Sequence, residues 1–217
     1  GIRTIGELAR TDPDFLERQL GKMGLVIFSF ANGWDDSPVA AESYHAPIKS
    51  IGNSTTTPRD LENDLDVWII QIALAESVAA RLRKHGFKCK TVEITVRDNG
   101  LYSFSRQIHL RQPTNITNEI VTAAFRLFKD NYKWEHSIRS LGIRAADLVL
   151  DDIPVQLDLF GNQEKKEKLE KLDRTVDEIR RRFGYFSIQR AAMYQDKVLS
   201  HLDAGTHTIH PHSYFHG

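Results

Sequence analysis

The sequence predicts an α+β fold with the element order β-α-β-β-α-β, a four-stranded sheet carrying two helices on one face. Three observations predict it. Apolar residues recur at helical spacing at Leu61, Leu65, Trp68, Ile69, Ile72, Ala75, Ala79 and Leu82, over about six turns. Val92, Ile94 and Val96 alternate with polar neighbours ahead of Asp98-Asn99-Gly100, a hairpin signal. A second helical pattern, at Ile120, Ala124, Leu127 and Phe128, follows the hairpin.

Local chemistry supports each element in turn. Residues 1–33 read as short helices separated by Gly6, Gly21, Gly24 and Gly33. Thr4 is placed to cap a helix over Ile5–Ala9. Asp12 followed by Pro13 starts another, because proline is tolerated at the first helical position. Leu16 and Leu20 share one face of that helix, and Gly21 ends it. Residues 34–43 read as a linker.

Residues 44–148 hold the sheet. Tyr44–Ile51 reads as the first strand. Thr57-Pro58-Arg59-Asp60 then offers a cap, a proline and a first-turn carboxylate for the long helix, which Gly86 ends. Thr91–Arg97 and Phe104–Leu110 form the hairpin, burying Ile108 and Leu110. Thr117 starts the second helix. Ser137–Ile143 is the last strand, with Gly142 a bulge or close-approach point. An open face would remain on the sheet, with Thr91, Glu93, Thr95, Ser103, Ser105 and Gln107 pointing outward.

Residues 149–162 read as a linker, in which Asp151-Asp152-Ile153-Pro154-Val155 is extended and acidic. Residues 163–217 form a tail, in which Gln163–Phe183 has Leu169, Leu172, Val176 and Ile179 at helical spacing. A shorter helix is expected over Ser187–His201. His207, His210, His212 and His216 read as a solvated end and not as a metal site, since no carboxylate or cysteine accompanies them.

Composition narrows the function classes. An apolar fraction of 41% is adequate for a packed core, so wholesale disorder is not expected. No apolar run approaches the roughly 20 residues of a membrane span, so no membrane partner is expected. Gly1 to Ala9 lacks the features of a secretory signal, and the absent initiator Met suggests a segment of a longer protein. The single cysteine, Cys89, excludes an internal disulfide and fits a cytoplasmic, reducing compartment. Residues 44–148 hold 15 Lys and Arg against 11 Asp and Glu, so a polyanion partner would meet this segment rather than its neutral or acidic flanks.

Several short runs resemble Y-family translesion DNA polymerases of the ImpB/MucB/SamB/UmuC branch. Gly1-Ile2-Arg3-Thr4-Ile5-Gly6-Glu7-Leu8-Ala9, Gly21-Lys22-Met23-Gly24 and Ala31-Asn32-Gly33-Trp34-Asp35 resemble the thumb. Lys49-Ser50-Ile51-Gly52 with Thr55 and Thr56, then Ala80-Arg81-Leu82-Arg83, Thr91-Val92, Ser105-Arg106 and Ile138 to Arg144 resemble the little finger in unbroken order. The resemblance implies a partial thumb over residues 1–33 and a DNA-binding little finger over residues 44–148.

It further implies template-primer DNA as a partner. The main chain of Gly1, Ile2 and Thr4 would approach phosphates at a helix-hairpin-helix. Lys49, the backbone of Ser50 and Gly52, and Arg106, Arg139 and Arg144 would contact phosphates from the little finger. Simple alternation puts Arg106 beside Ile108 and Leu110, so either a bulge re-aims it or the face is wrongly assigned. Arg139 shares the parity of Leu141 and Ile143 unless Gly142 breaks the register.

Gln156-Leu157-Asp158-Leu159-Phe160 resembles the pentapeptide by which bacterial polymerases dock on the sliding clamp. Gln156 would hydrogen-bond at one pocket, and Leu159 and Phe160 would fill an apolar one. Polymerase chemistry needs carboxylates on two metal ions. Asp35-Asp36 and Asp151-Asp152 lack the strand setting for that role, so no catalytic residue is expected here. Mg2+ is implied for the full-length polymerase only. A nucleoid-associated location in a bacterial cytoplasm follows from the same resemblance, and residues 163–217 are expected to offer a further protein-binding helix pair. A stand-alone nucleic-acid-binding or protein-interaction module is the alternative.

Overall fold

The computed structural model describes residues 1–39, 41, 47–152 and 163–201. The chain divides into two units, Gly1–Ala46 and Pro47–Gly217. The first is helical, with α1 (Ile5–Ala9), α2 (Pro13–Leu20) and α3 (Lys22–Ala31). Thr4 caps α1 in a reciprocal box: its hydroxyl accepts from the Glu7 amide at 3.2 Å, and the Glu7 carboxylate accepts from the Thr4 amide at 3.2 Å. Gly21, at φ 62°, turns α2 into α3. At Gly24 a Cβ would stand 2.2 Å from the Leu16 carbonyl oxygen, so α3 meets the backbone of α2 directly. Leu16 is buried there, whereas Leu20 is exposed.

The second unit contains β1 (Ser50–Leu61), α4 (Asp64–Lys84), β2 (Phe87–Asp98), β3 (Ser103–Thr114), α5 (Thr117–Asn131) and β4 (Ile138–Leu150). The strands form one antiparallel sheet in the order β1-β4-β2-β3. Val92, Ile94, Val96, Leu141, Ile143 and Ile51 face a core completed by Ile69, Ile72, Leu82, Ile120, Ala124 and Phe128 from the two helices. The α+β order is the one that the periodicities predict.

The first strand departs from expectation. Of the expected strand Tyr44–Ile51, residues 44–46 lie outside the described residues and residues 47–49 are not in a strand, while β1 runs through Thr57-Pro58-Arg59-Asp60, which therefore do not start α4. β1 is an edge strand whose register slips between Thr56 and Leu61, and that is where a strand proline is tolerated. The cap of α4 is Asn63, whose side chain accepts from the Asp66 amide at 3.0 Å. α4 is buried on nearly every side, although Leu65 at its start is exposed. Ile108 and Leu110 are only partly buried, since β3 is the other edge.

Asp98-Asn99-Gly100 does not make a two-residue turn. The connection from β2 to β3 spans residues 99–102, and Leu101 takes the positive φ of 70°. The Asp98 carboxylate accepts from the Tyr102 amide at 2.9 Å to close it. Cys89 is fully buried, and burial pushes its thiol up to about 12.

After β4, α6 (Gln163–Phe183) fills its predicted span. The expected helix over Ser187–His201 is instead a 3-10 turn at Ala191–Gln195 followed by α7 (Lys197–Ser200). This tail packs on the domain. Met193 and Leu199 join the core, and Arg83 of α4 meets Asp177 at 2.6 Å and Asp173 at 3.3 Å. Glu76 pairs with Arg180 and Arg190, each at 2.9 Å. Asp173 also accepts from the Thr117 amide at 2.7 Å, giving α5 the N-terminal cap that its own sequence lacks.

Candidate nucleic-acid interface

Directly opposed residues in an antiparallel ladder project from the same face. The register therefore defines the uncovered side of the sheet. Ser50, Gly52, Ser54 and Thr56 of β1 lie opposite Ala146, Arg144, Gly142 and Ser140 of β4. Those residues lie opposite Thr91, Glu93, Thr95 and Arg97 of β2, which in turn oppose His109, Gln107, Ser105 and Ser103 of β3. Small and hydroxyl side chains predominate on this face, and His109 at its β3 edge is the one aromatic ring among the paired positions.

Its centre is concave. A cavity of about 240 Å³ is lined by Gly52, Ser54, Glu93, Thr95, Gly142 and Arg144 with parts of Asn53 and Ile143. Two glycines keep the floor low. A Cβ on Gly52 would come within 3.2 Å of the Arg144 side chain, and one on Gly142 within 3.1 Å of the Ser54 Cβ. Gly142 is thus a close-approach point within a regular ladder and not a bulge. From the edge, Arg81 of α4 donates to the Gly52 carbonyl at 2.9 Å. Burial pulls the Arg81 guanidinium below its ordinary value, but it remains a cation.

The predicted contact residues are distributed over this unit unequally. Lys49 is exposed just before β1, and Ser50 and Gly52 lie on the open face. Arg144 reaches the centre of that face, where its guanidinium is held by the Glu93 carboxylate. Arg139 is the extra residue where the β4 register slips between the pairs Arg97–Ser140 and Asp98–Ile138. The break thus falls at Arg139 itself and not at Gly142. Its guanidinium donates to the Thr57 carbonyl at 3.2 Å and approaches Asp60 at 3.6 Å, both on β1.

No bulge re-aims Arg106. It opposes the buried Ile94, so it projects to the helix side, where it donates to the Asn131 side chain at 3.2 Å and lies over the Phe104 ring. Sequence reasoning passed over Arg97 as a candidate. This residue is exposed on the open face and has no hydrogen-bond or ion-pair partner among the described residues. The alternation that places Glu93 and Thr95 outward would have found it.

In the helical unit, Gly1, Ile2 and Thr4 are exposed. The amides of Arg3 and Thr4 already donate to Glu7, and these bonds hold the Glu7 carboxyl below its usual range. A phosphate there would have to displace that side chain. Gln156, Leu157, Asp158, Leu159 and Phe160 lie outside the described residues, as do His207, His210, His212 and His216.

Residues 48–159 match the impB/mucB/samB family C-terminal domain, and the chain belongs to this family. It is 47% identical over 201 residues to DNA polymerase IV of Acetivibrio thermocellus, covering 93% of this chain and 50% of that protein. It is 37% identical over 196 residues to DNA polymerase IV 2 of Bacillus subtilis, covering 88% and 46% respectively. DNA polymerase IV of Moorella thermoacetica is 34% identical over 191 residues, covering 88% and 46%. The chain thus spans about half the length of these relatives. The likeness to the first runs well past residue 159, so it takes in most of the tail.

Proposed function

We propose that this chain is the DNA-holding and clamp-docking part of an error-prone translesion DNA polymerase, binding template-primer DNA through its phosphates without reading base sequence. The observation that carries this reading is the open sheet face, which is concave, lined by hydroxyls and glycines, and equipped with Arg97 and Arg144. Small residues let a backbone come close, hydroxyls donate to phosphate oxygens, and the two guanidinium groups supply charge. Family membership and the name DNA polymerase IV borne by the relatives support the same conclusion.

An RNA-binding module of this shape would present aromatic residues on its strands for base stacking. No Phe, Tyr or Trp stands at the paired positions of the open face, where His109 at the β3 edge is the one ring, and this disfavours the alternative. Docking on a bacterial sliding clamp rests on the residue types of Gln156-Leu157-Asp158-Leu159-Phe160, a hydrogen-bonding amide followed by two apolar anchors. Among the described residues no group of His, Cys, Asp or Glu could hold a metal ion. The Mg2+ that polymerase chemistry requires is therefore assigned no ligand here, and no step is derived through it.

Binding of the chain to fluorescent primer–template DNA over a salt series tests the proposal. Affinity should fall linearly on a logarithmic salt axis. Arg97→Gln should reduce that slope by about 0.9, the value for one lost phosphate contact on duplex DNA. Arg106→Gln, altered on the helix side, should reduce it less. An affinity insensitive to salt would overturn the DNA assignment.

A further inference from the structure

We propose that Glu93 is an internal competitor for the DNA backbone, holding Arg144 in the free protein and yielding it only in exchange for a phosphate. This rests on the assignment of the open face to DNA. Glu93 and Arg144 are directly opposed on β2 and β4, and the guanidinium donates to the carboxylate across the ladder. The Glu93 side chain is only 15% exposed, whereas that of Arg144 is 51% exposed, so the cation remains open to a second anion.

The surroundings make this placement costly for any simple DNA-binding face. Glu93 is the only carboxylate among the paired open-face positions, and it lies in the wall of the central cavity beside Gly52, Ser54, Thr95 and Gly142. A carboxylate there repels a phosphate, and it occupies Arg144, the cation at the cavity that would receive it. Structural need does not account for it, since a cross-strand ion pair is worth at most about 1 kcal/mol and a neutral polar pair would also fit the pleat.

Exchange of Arg144 between two anions does account for it. When a phosphate leaves, the carboxylate takes the guanidinium back, which offsets part of the lost interaction. A protein that must let duplex DNA advance gains a lower barrier to stepping and accepts a weaker grip. Arg97, which has no carboxylate partner among the described residues, would supply a constant attraction on the same face.

The test is Glu93→Gln in the full chain, assayed on primer–template DNA over a salt series. The expected result is binding about threefold to tenfold tighter at low salt, with a slope steeper by about 0.9 because Arg144 now neutralises a phosphate outright. The gain should persist in an Arg97→Gln background and vanish in an Arg144→Gln background. Glu93→Asp, which keeps the charge, should stay near the unaltered affinity. Unchanged or weaker binding by Glu93→Gln would overturn the proposal and make Glu93 a buttress for Arg144. If the unaltered chain itself shows no salt-dependent binding, the DNA assignment fails and takes this inference with it. If that binding is present and only the Glu93 effect is missing, this inference fails alone.

Discussion

Asp173 and Thr117, more than fifty residues apart in sequence, are joined by a 2.7 Å hydrogen bond from the Thr117 amide to the Asp173 carboxylate. The same carboxylate faces Arg83 at 3.3 Å and Arg190 at 3.4 Å. It is therefore both the cap of α5 and a counter-ion for a guanidinium shut away from water.

Asp173→Ala should destabilise the chain by about 3 kcal/mol, because it breaks a buried ion pair and leaves an amide without its acceptor. Asp173→Asn should cost less, since its side-chain oxygen still accepts from Thr117. Urea unfolding measures both, and hydrogen exchange at the Thr117 amide should quicken in the alanine variant alone.

Acid should loosen the join between β1, α4 and the tail. Burial raises the Asp66 carboxyl, but the Arg59 side chain and the Glu62 amide outweigh it, so Asp66 sits below its usual range. Asp196 is also held down, first by Arg59 and then by the Leu199 amide. A depressed folded value adds stability that is complete above the unfolded value of about 3.9 and is lost as pH falls through the folded one. Unfolding free energy should therefore drop below about pH 4. Asp66→Asn should start less stable at neutral pH and show a shallower acid limb.

How much of this was legible in the sequence depended on range. The Thr4–Glu7 box, the alternation of Val92, Ile94 and Val96, and the span of α6 are set by neighbours within a few residues, and each appears where local chemistry puts it. Thr57-Pro58 was misleading because proline suits a helix start and an edge strand equally, and only the position of β1 in the sheet decides between them. The Arg139 register break depends on β2, some 40 residues away, and the docking of α6 through Arg83 on a partner 90 residues away. No periodicity reports those. Arg106 shows the reverse: simple alternation already puts it on the helix side, and the ladder register agrees.

Gly24 gives a separate test of the helical unit. Gly24→Ala drives a methyl group into the Leu16 carbonyl, and backbone cannot yield as a flexible side chain can. A loss of about 1–3 kcal/mol is expected in that unit, read as faster exchange of α2 and α3 amides while those of the sheet stay unchanged.

The pentapeptide and the sheet should separate in function. Leu159→Ala with Phe160→Ala removes both apolar anchors and should abolish co-elution with a purified bacterial clamp, while affinity for primer–template DNA stays as it was. Loss of both activities together would mean that the segment serves the DNA face instead.

Both outer strands carry a proline close to a slip in register, Pro58 on β1 and Pro113 on β3. A strand proline has no amide to offer, and a bulge twists the adjoining backbone away from a flat approach. The ladder is thus interrupted near one end of each margin, while residues 50–56 and 103–109 stay in regular register. Each interruption shortens the flat, regular border that the sheet offers to a strand of a second copy.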